Sequence, residues 1–371
     1  LEKDIPLLVR ANVVHTNNYV TGISQDMVSR IFHNIYFLLI PLLSNAESLP
    51  LLKVGAEHSG EQINTVFLTN PVIDEKDKKF SENMLLFESD SNFSIEPSNY
   101  PQIAIKIETQ FGPGIKTSKT LVKRVINWLL QKGYKKNSLI LFDRDRTGLV
   151  ASGFLLDESK EENFFGVQVL HSGTKGFFNN SWFHDSPLPP THFDRSRLKL
   201  MYKENVSLRI EEERKSYLPF PHLQGVFWIN LAVPMDDPFL GIDGASSNIT
   251  LGSISNYGRF SRNKTLSAAA VTEILAIPEI WEKKLFSILD FSQYQVANGQ
   301  RFDSRYVGKQ NAMFIGRNPL ALDYYAMKIL NKERKVKHNL LERSTDEALL
   351  FKYAEELGLA KKSEFSAKKL N

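Results

Sequence analysis

Two hydrophobic periods divide the chain. Short, nearly unbroken apolar runs recur at 103–107, 138–142, 166–170, 225–231, 284–290 and 311–315, the pattern of strands buried on both faces. Thr117 to Gln131 instead carries Leu121, Val122, Val125, Ile126 and Leu129 at helical spacing, with Lys119, Lys123 and Asn127 on or near the other face. That predicts a helix packed on one side of a sheet. From Ile103 to Asp145 the chain therefore reads as strand, Gly112-Pro113-Gly114 turn, helix, Gly133 stop and strand. Such a βαβ unit implies parallel strands with a right-handed crossover. The fold class that follows is α/β: a mostly parallel open sheet with helices on both faces and a loop-rich insertion.

The same reading places a strand over Leu7–Val14 and a helix over Gln25–Leu39, opened by Ser24 and ended by Pro41. Leu51–Val54 and Val66–Leu68 read as short strands. Leu266–Leu275 and Asp346–Leu357 read as helices, and Asn318-Pro319 has the cap-then-proline form of a helix start. Residues 1–371 fit one large α/β domain. Within it, 74–100 reads as a polar connecting segment and 359–371 as a basic tail. The proline-, glycine- and aromatic-rich stretch 172–222 reads as a loop-rich insertion, functional in most compact folds.

Composition narrows the chemistry. None of the 371 residues is cysteine, so disulfides, thiol nucleophiles, cysteine-ligated zinc and an iron–sulfur cluster within this chain are excluded. A net charge of +4 spread over this length lacks the concentrated basic patch of a nucleic-acid partner. The longest apolar run, Ile35–Leu43, falls short of the roughly 20 residues of a membrane span. Absence of cysteine fits an exported protein and many cytosolic ones, and a start at Leu1 fits either a removed signal segment or a trimmed sequence; a periplasmic or secreted location is slightly favoured over a cytoplasmic one.

In open parallel sheets, ligands bind outside the carboxyl ends of the strands. That rule selects Glu108 after the first strand of the βαβ unit, Asp143 after the second, Asp236 and Asp237 after the 225–231 run, Asp290 after the 284–290 run, and Arg317 after the last strand. Carboxylates on such a rim can hold a divalent cation through oxygen ligands; Glu108, Asp290 and Asp323 are the metal candidates. Asp323 lies in Leu320-Ala321-Leu322-Asp323-Tyr324-Tyr325-Ala326-Met327, apolar nearly all round, so its carboxylate needs a buried partner: a cation, or a basic group such as Arg317 or Arg259. A structural ion pair and a site role are both open. The Gly112-Pro113-Gly114 turn before Thr117 is a plain turn or an anion cradle with Lys116 and Lys119. Neither a Walker loop nor a dinucleotide fingerprint nor a His-Glu-x-x-His nor a Gly-x-Ser-x-Gly elbow occurs. His184 and His192 have no familiar metal spacing.

Three stretches resemble the prokaryotic family called domain of unknown function 362: Lys106-Ile107-Glu108 before the turn and helix, Gly244 to Asn248 with Asn256-Tyr257-Gly258-Arg259, and Gly316-Arg317-Asn318-Pro319-Leu320-Ala321-Leu322-Asp323. The resemblance runs from about Gln102 to Leu357. It departs at Glu108, Ser247 and Asn318, where the family has Asn, Lys and Asp, and in lacking ferredoxin-type cysteines; it implies a divergent member. With it, two functions are in view. One is a metal- or anion-dependent enzyme acting on a small polar substrate, with Glu108, Asp143, Arg259 and Asp323 as catalytic candidates and Asn248, Asn256, Arg259 and Arg317 orienting the substrate. The other is a non-catalytic exported binding or structural protein on an enzyme-like scaffold.

Overall fold

The computed structural model describes residues 61–69, 77–157, 162–185, 214–222 and 225–370, all in the unit Val54–Asn371. The elements expected at Leu7–Val14, Gln25–Leu39 and Leu51–Val54 lie outside the described residues. In chain order the first half holds β1 (Thr65–Thr69), α1 (Asp77–Asp90), β2 (Ile103–Ile107), α2 (Lys119–Gln131), β3 (Leu139–Phe142), α3 (Arg146–Ala151), β4 (Asn163–Phe164), β5 (Val167–Leu170), β6 (Phe178–Asp185) and β7 (Lys215–Pro219). There follow β8 (Phe227–Ala232), β9 (Met235–Asp237), β10 (Gly241–Asp243), α4 (Ala245–Ile249), α5 (Lys264–Leu275), α6 (Pro278–Trp281), β11 (Lys284–Asp290), β12 (Tyr294–Gln295) and β13 (Val307–Gly308). Last come β14 (Met313–Gly316), α7 (Pro319–His338), α8 (Leu349–Glu356) and β15 (Ser366–Lys369).

Among the described residues nine strands form one sheet in the order β15-β1-β14-β11-β8-β2-β3-β5-β4. The central run β11-β8-β2-β3-β5 is parallel throughout. β14 runs antiparallel to β11 and to β1, β15 runs parallel to β1, and β4 antiparallel to β5. The fold is therefore α/β with a mostly parallel sheet, as the pattern of buried runs predicts. Alternate strand residues feed two cores. Ile103, Ile105 and Ile107 pack with Leu121, Val125 and Leu129 of α2 on one face. Ala104, Phe142 and Trp228 pack with residues of α4, α5, α7 and α8 on the other.

Three segments hold elements that the sequence reading did not place. The 74–100 stretch, expected as a polar connector, contains α1, which buries Phe80, Met84 and Phe87. Phe87 meets Phe67 and Phe286 edge-on at 5.5 and 5.7 Å. One apolar stripe suffices to dock a helix that is otherwise charged. The 359–371 tail supplies β15, an edge strand whose exposed Lys368 and Lys369 discourage further pairing. In the 172–222 insertion, β6 and β7 pair antiparallel; residues 186–213, with His192, are outside the described residues. β9, β10, β12 and β13 form a second, four-stranded sheet that the sequence reading did not anticipate. No helix among the described residues is long and apolar enough to cross a membrane.

Candidate active site

Strand register builds the centre of the site. Lys106 lies opposite Asn230 and Asn230 opposite Ser287, so a polar row crosses β2, β8 and β11 where α4 packs on the sheet. Lys106 is fully buried. Its ammonium donates to the Ile107 carbonyl at 2.8 Å, to Asp143 Oδ1 at 2.7 Å and to Asn248 Oδ1 at 2.7 Å. Asn248 donates to Asn230 Oδ1 at 2.8 Å, and Asn230 to the Ala245 carbonyl at 2.7 Å. Asp143 also accepts the Thr109 and Arg144 backbone N–H groups at 2.9 and 2.7 Å, and the Thr109 hydroxyl. A buried ion pair persists only when its remaining donors and acceptors are also satisfied, and here they are.

The turn after β2 is pinned to this centre. Thr117 Oγ1 accepts the Glu108 N–H at 2.8 Å and donates to the Leu231 carbonyl at 2.6 Å. Gly148 approaches the same loop so closely that a Cβ there would lie 2.6 Å from the Thr109 carbonyl oxygen.

Asp323 is fully buried, as its apolar helix predicts, and its protein partners are backbone amides and a hydroxyl, not Arg317 or Arg259. Its carboxylate accepts the N–H groups of Ala245 and Ser246 at 2.6 and 2.9 Å and the Ser246 hydroxyl, at the first turn of α4. Burial pushes the carboxyl up to about 6, against the pull of those donors. Arg317 cannot take that place because β14 is antiparallel: Gly316 pairs with Ser287 while Met313 pairs with Asp290, so Arg317 follows the strand at the amino end of its parallel neighbours. There its guanidinium stacks 4.2 Å from the Phe93 ring.

The other candidates separate in the same way. Asp290 accepts the Ser118 and Ser292 N–H groups at 3.2 and 2.8 Å, so a carboxylate of the chain itself already occupies the start of α2. Asn256 donates to the Lys215 carbonyl at 3.1 Å and Arg259 to the Arg214 carbonyl at 3.0 Å, tying the 256–259 turn to β7. Among the described residues no three His, Asp or Glu side chains are arranged to hold a metal ion. Glu108, Asp290 and Asp323 thus do not gather as a ligand set; each is drawn to a different set of backbone amides. Asn248 and Asp143 do meet, through Lys106. His184 pairs with Glu273 at 2.7 Å.

Glu108 and Asp243 behave differently from the rest. Glu108 Oε1 accepts the Gln110 N–H at 3.0 Å. Burial raises its proton affinity, opposed by Lys106 and increased by Asp143. Asp243, at the end of β10 and partly accessible, accepts the Ser247 hydroxyl. Burial, then the negative charge of Glu108, push it well above the usual carboxylate range, with Asp237 and Asp323 adding to the shift. Arg144 borders the group, stacked 3.6 Å over the Tyr257 ring and donating to the Leu251 carbonyl at 3.0 Å. Sequence reasoning left out Lys106 and Asp243. A lysine inside Ile103-Ala104-Ile105-Lys106-Ile107 was a visible signal, since a charge in a strand buried on both faces needs a partner. Asp243 had no comparable signal, being one acid in a glycine- and serine-rich stretch.

No family model matches the chain, and no curated protein matches it. A crystal structure of a protein from Thermotoga maritima is similar at 12% sequence identity and a TM-score of 0.34, over 73% of this chain and 60% of that one. The chain thus spans less than two thirds of that protein, and the likeness carries no functional argument.

Proposed function

We propose that the protein is an enzyme that moves a proton on a small polar substrate at the carboxyl end of the parallel strands, with Glu108 and Asp243 as the acid–base pair. The observation that carries this is the contrast in donors. Lys106, Asp143, Asn248 and Asp323 are matched by close partners, whereas Asp243 accepts one hydroxyl, and burial and the charge of Glu108 push it above its ordinary range. Neighbouring carboxyls with displaced proton affinities are the means by which sites hold a proton for transfer near neutral pH. Lys106 fixes Asp143 and the β2 end in place. Arg144 borders the pair and would orient polar groups of the substrate. No step is assigned to a metal ion, since the candidate ligands do not form one set.

Carbon-13 titration of side-chain carboxyls tests the pair. The Glu108 and Asp243 carboxyls should both titrate above the usual range, and Glu108→Gln should return Asp243 toward it. A compound found by melting shifts in a library of small polar metabolites, and turned over by the wild type, should be bound but not turned over by Glu108→Gln or Asp243→Asn. Ordinary titration of both carboxyls, or full turnover by either variant, overturns the assignment. A second reading, a non-catalytic exported binding or structural protein on this scaffold, is favoured by one observation: every N–H of the Lys106 ammonium is already taken. It predicts binding without turnover.

A further inference from the structure

A groove of about 520 Å³ lies along the second half of α7, away from the Lys106 centre. One wall carries Lys328, Lys332 and Lys335, spaced four and three residues apart and so on one helical face. The other is the loop with Arg343, Ser344 and Thr345.

Several features separate this groove from an ordinary solvated helix face. The loop wall is fixed. Asn331 donates to the Arg343 carbonyl at 2.7 Å and accepts the Arg343 N–H at 2.9 Å. The Arg343 guanidinium grips both oxygens of the buried Asp236, which also receives Arg334. Charge on the helix wall is barely compensated. Lys335 reaches Glu342 at 3.2 Å. Lys328 rests 4.1 Å from the Tyr324 ring centre, and Lys332 has no acidic partner among the described residues. Attraction to the helix dipole accounts for cations in the last turn only, which holds Lys335 but neither Lys328 nor Lys332.

We infer that this groove binds a phosphorylated small molecule. Lysine ammoniums are compact point charges suited to the dense charge of phosphate, and Ser344 and Thr345 line the same groove. The volume is within the range of small-molecule sites and exceeds what a single phosphate fills. This site is independent of the Glu108–Asp243 pair.

Inorganic pyrophosphate is the probe, titrated into the whole chain by calorimetry at low salt. Binding should weaken at least tenfold in Lys328→Gln/Lys332→Gln, weaken as salt rises, and stay unchanged in Glu108→Gln. These are exposed lysines, so folding is retained; a melt confirms it. Absence of pyrophosphate binding, or equal affinity in the double variant, overturns the inference. So does loss of binding in Glu108→Gln, which would place the anion at the sheet. Tighter binding of a single-stranded DNA through the same lysines would make the groove a nucleic-acid surface instead and overturn the small-molecule reading.

Discussion

Asp323 and Asp243 both meet the first turn of α4, and both are acids removed from much of their water. Asp323 is met by two backbone amides and a hydroxyl. Asp243 is met by one hydroxyl and by the charge of Glu108. The first arrangement fastens α7 to α4; the second leaves a carboxyl short of donors at the edge of the site. The same residue type is held by backbone donors in one place and left with few donors in the other.

The largest expected effect comes from removing the buried cation at the centre of the site. Lys106→Met should cost about 3–5 kcal/mol, because Asp143 is left charged and buried. Denaturant melts measure it, and adding Asp143→Asn should recover part of the loss.

Asp323 allows a test with a sign. Its carboxyl binds protons more tightly folded than unfolded, so its contribution is complete below the unfolded value and is lost as pH rises. From well below pH 4 to above pH 7 the wild type should lose about 3 kcal/mol from this group, about 2 of it between pH 4 and 6, from a shift of 3.8 to about 6. Asp323→Asn should lack that slope. At acid pH it should be less stable than wild type by about 1–3 kcal/mol, since its amide turns N–H toward N–H at Ser246; the gap should narrow toward pH 7. Parallel slopes for the two proteins would refute the assignment.

How much of this was legible in the sequence depends on what the pattern encodes. Buried runs and a one-sided helix fixed β2, α2 and β3, because side-chain period follows directly from backbone geometry. Strand direction leaves no such trace, so the antiparallel β14 and the displacement of Arg317 were hidden. Helix α1 was obscured by its own charge, although Phe80, Met84 and Phe87 keep helical spacing. Burial of Asp323 was readable from its neighbours; its partners were not, because backbone amides carry no sequence signature.

Two smaller effects sharpen the comparison. Gly244→Ala would place a Cβ 2.3 Å from Asp323 Oδ1, so it should cost about 1–3 kcal/mol by crowding and leave carboxyl titration at Glu108 unchanged. Glu108→Gln should change stability least and in the opposite direction. The raised proton affinity of Glu108 means that wild-type stability falls as pH climbs through its folded value. The variant should therefore be the more stable protein in thermal melts at pH 8, while losing turnover. A destabilised Glu108→Gln at pH 8 would place Glu108 with the structural acids.

The edge strand β15 sets a schedule for synthesis. β1 is flanked by β14 and β15, both made long after it; Thr65 and Ser366, whose hydroxyls meet at 2.9 Å, are 301 residues apart. At ~5–20 residues per second, a ribosome needs on the order of 15–60 s to cover that interval. Until Met313 is made the apolar β1, with Val66 and Phe67, has neither of its sheet neighbours, and it lacks β15 to the end of the interval. Sealing of this side of the sheet is thus a late event, and nascent chains arrested before Met313 should be cut by protease around β1 while chains carried beyond Lys369 resist.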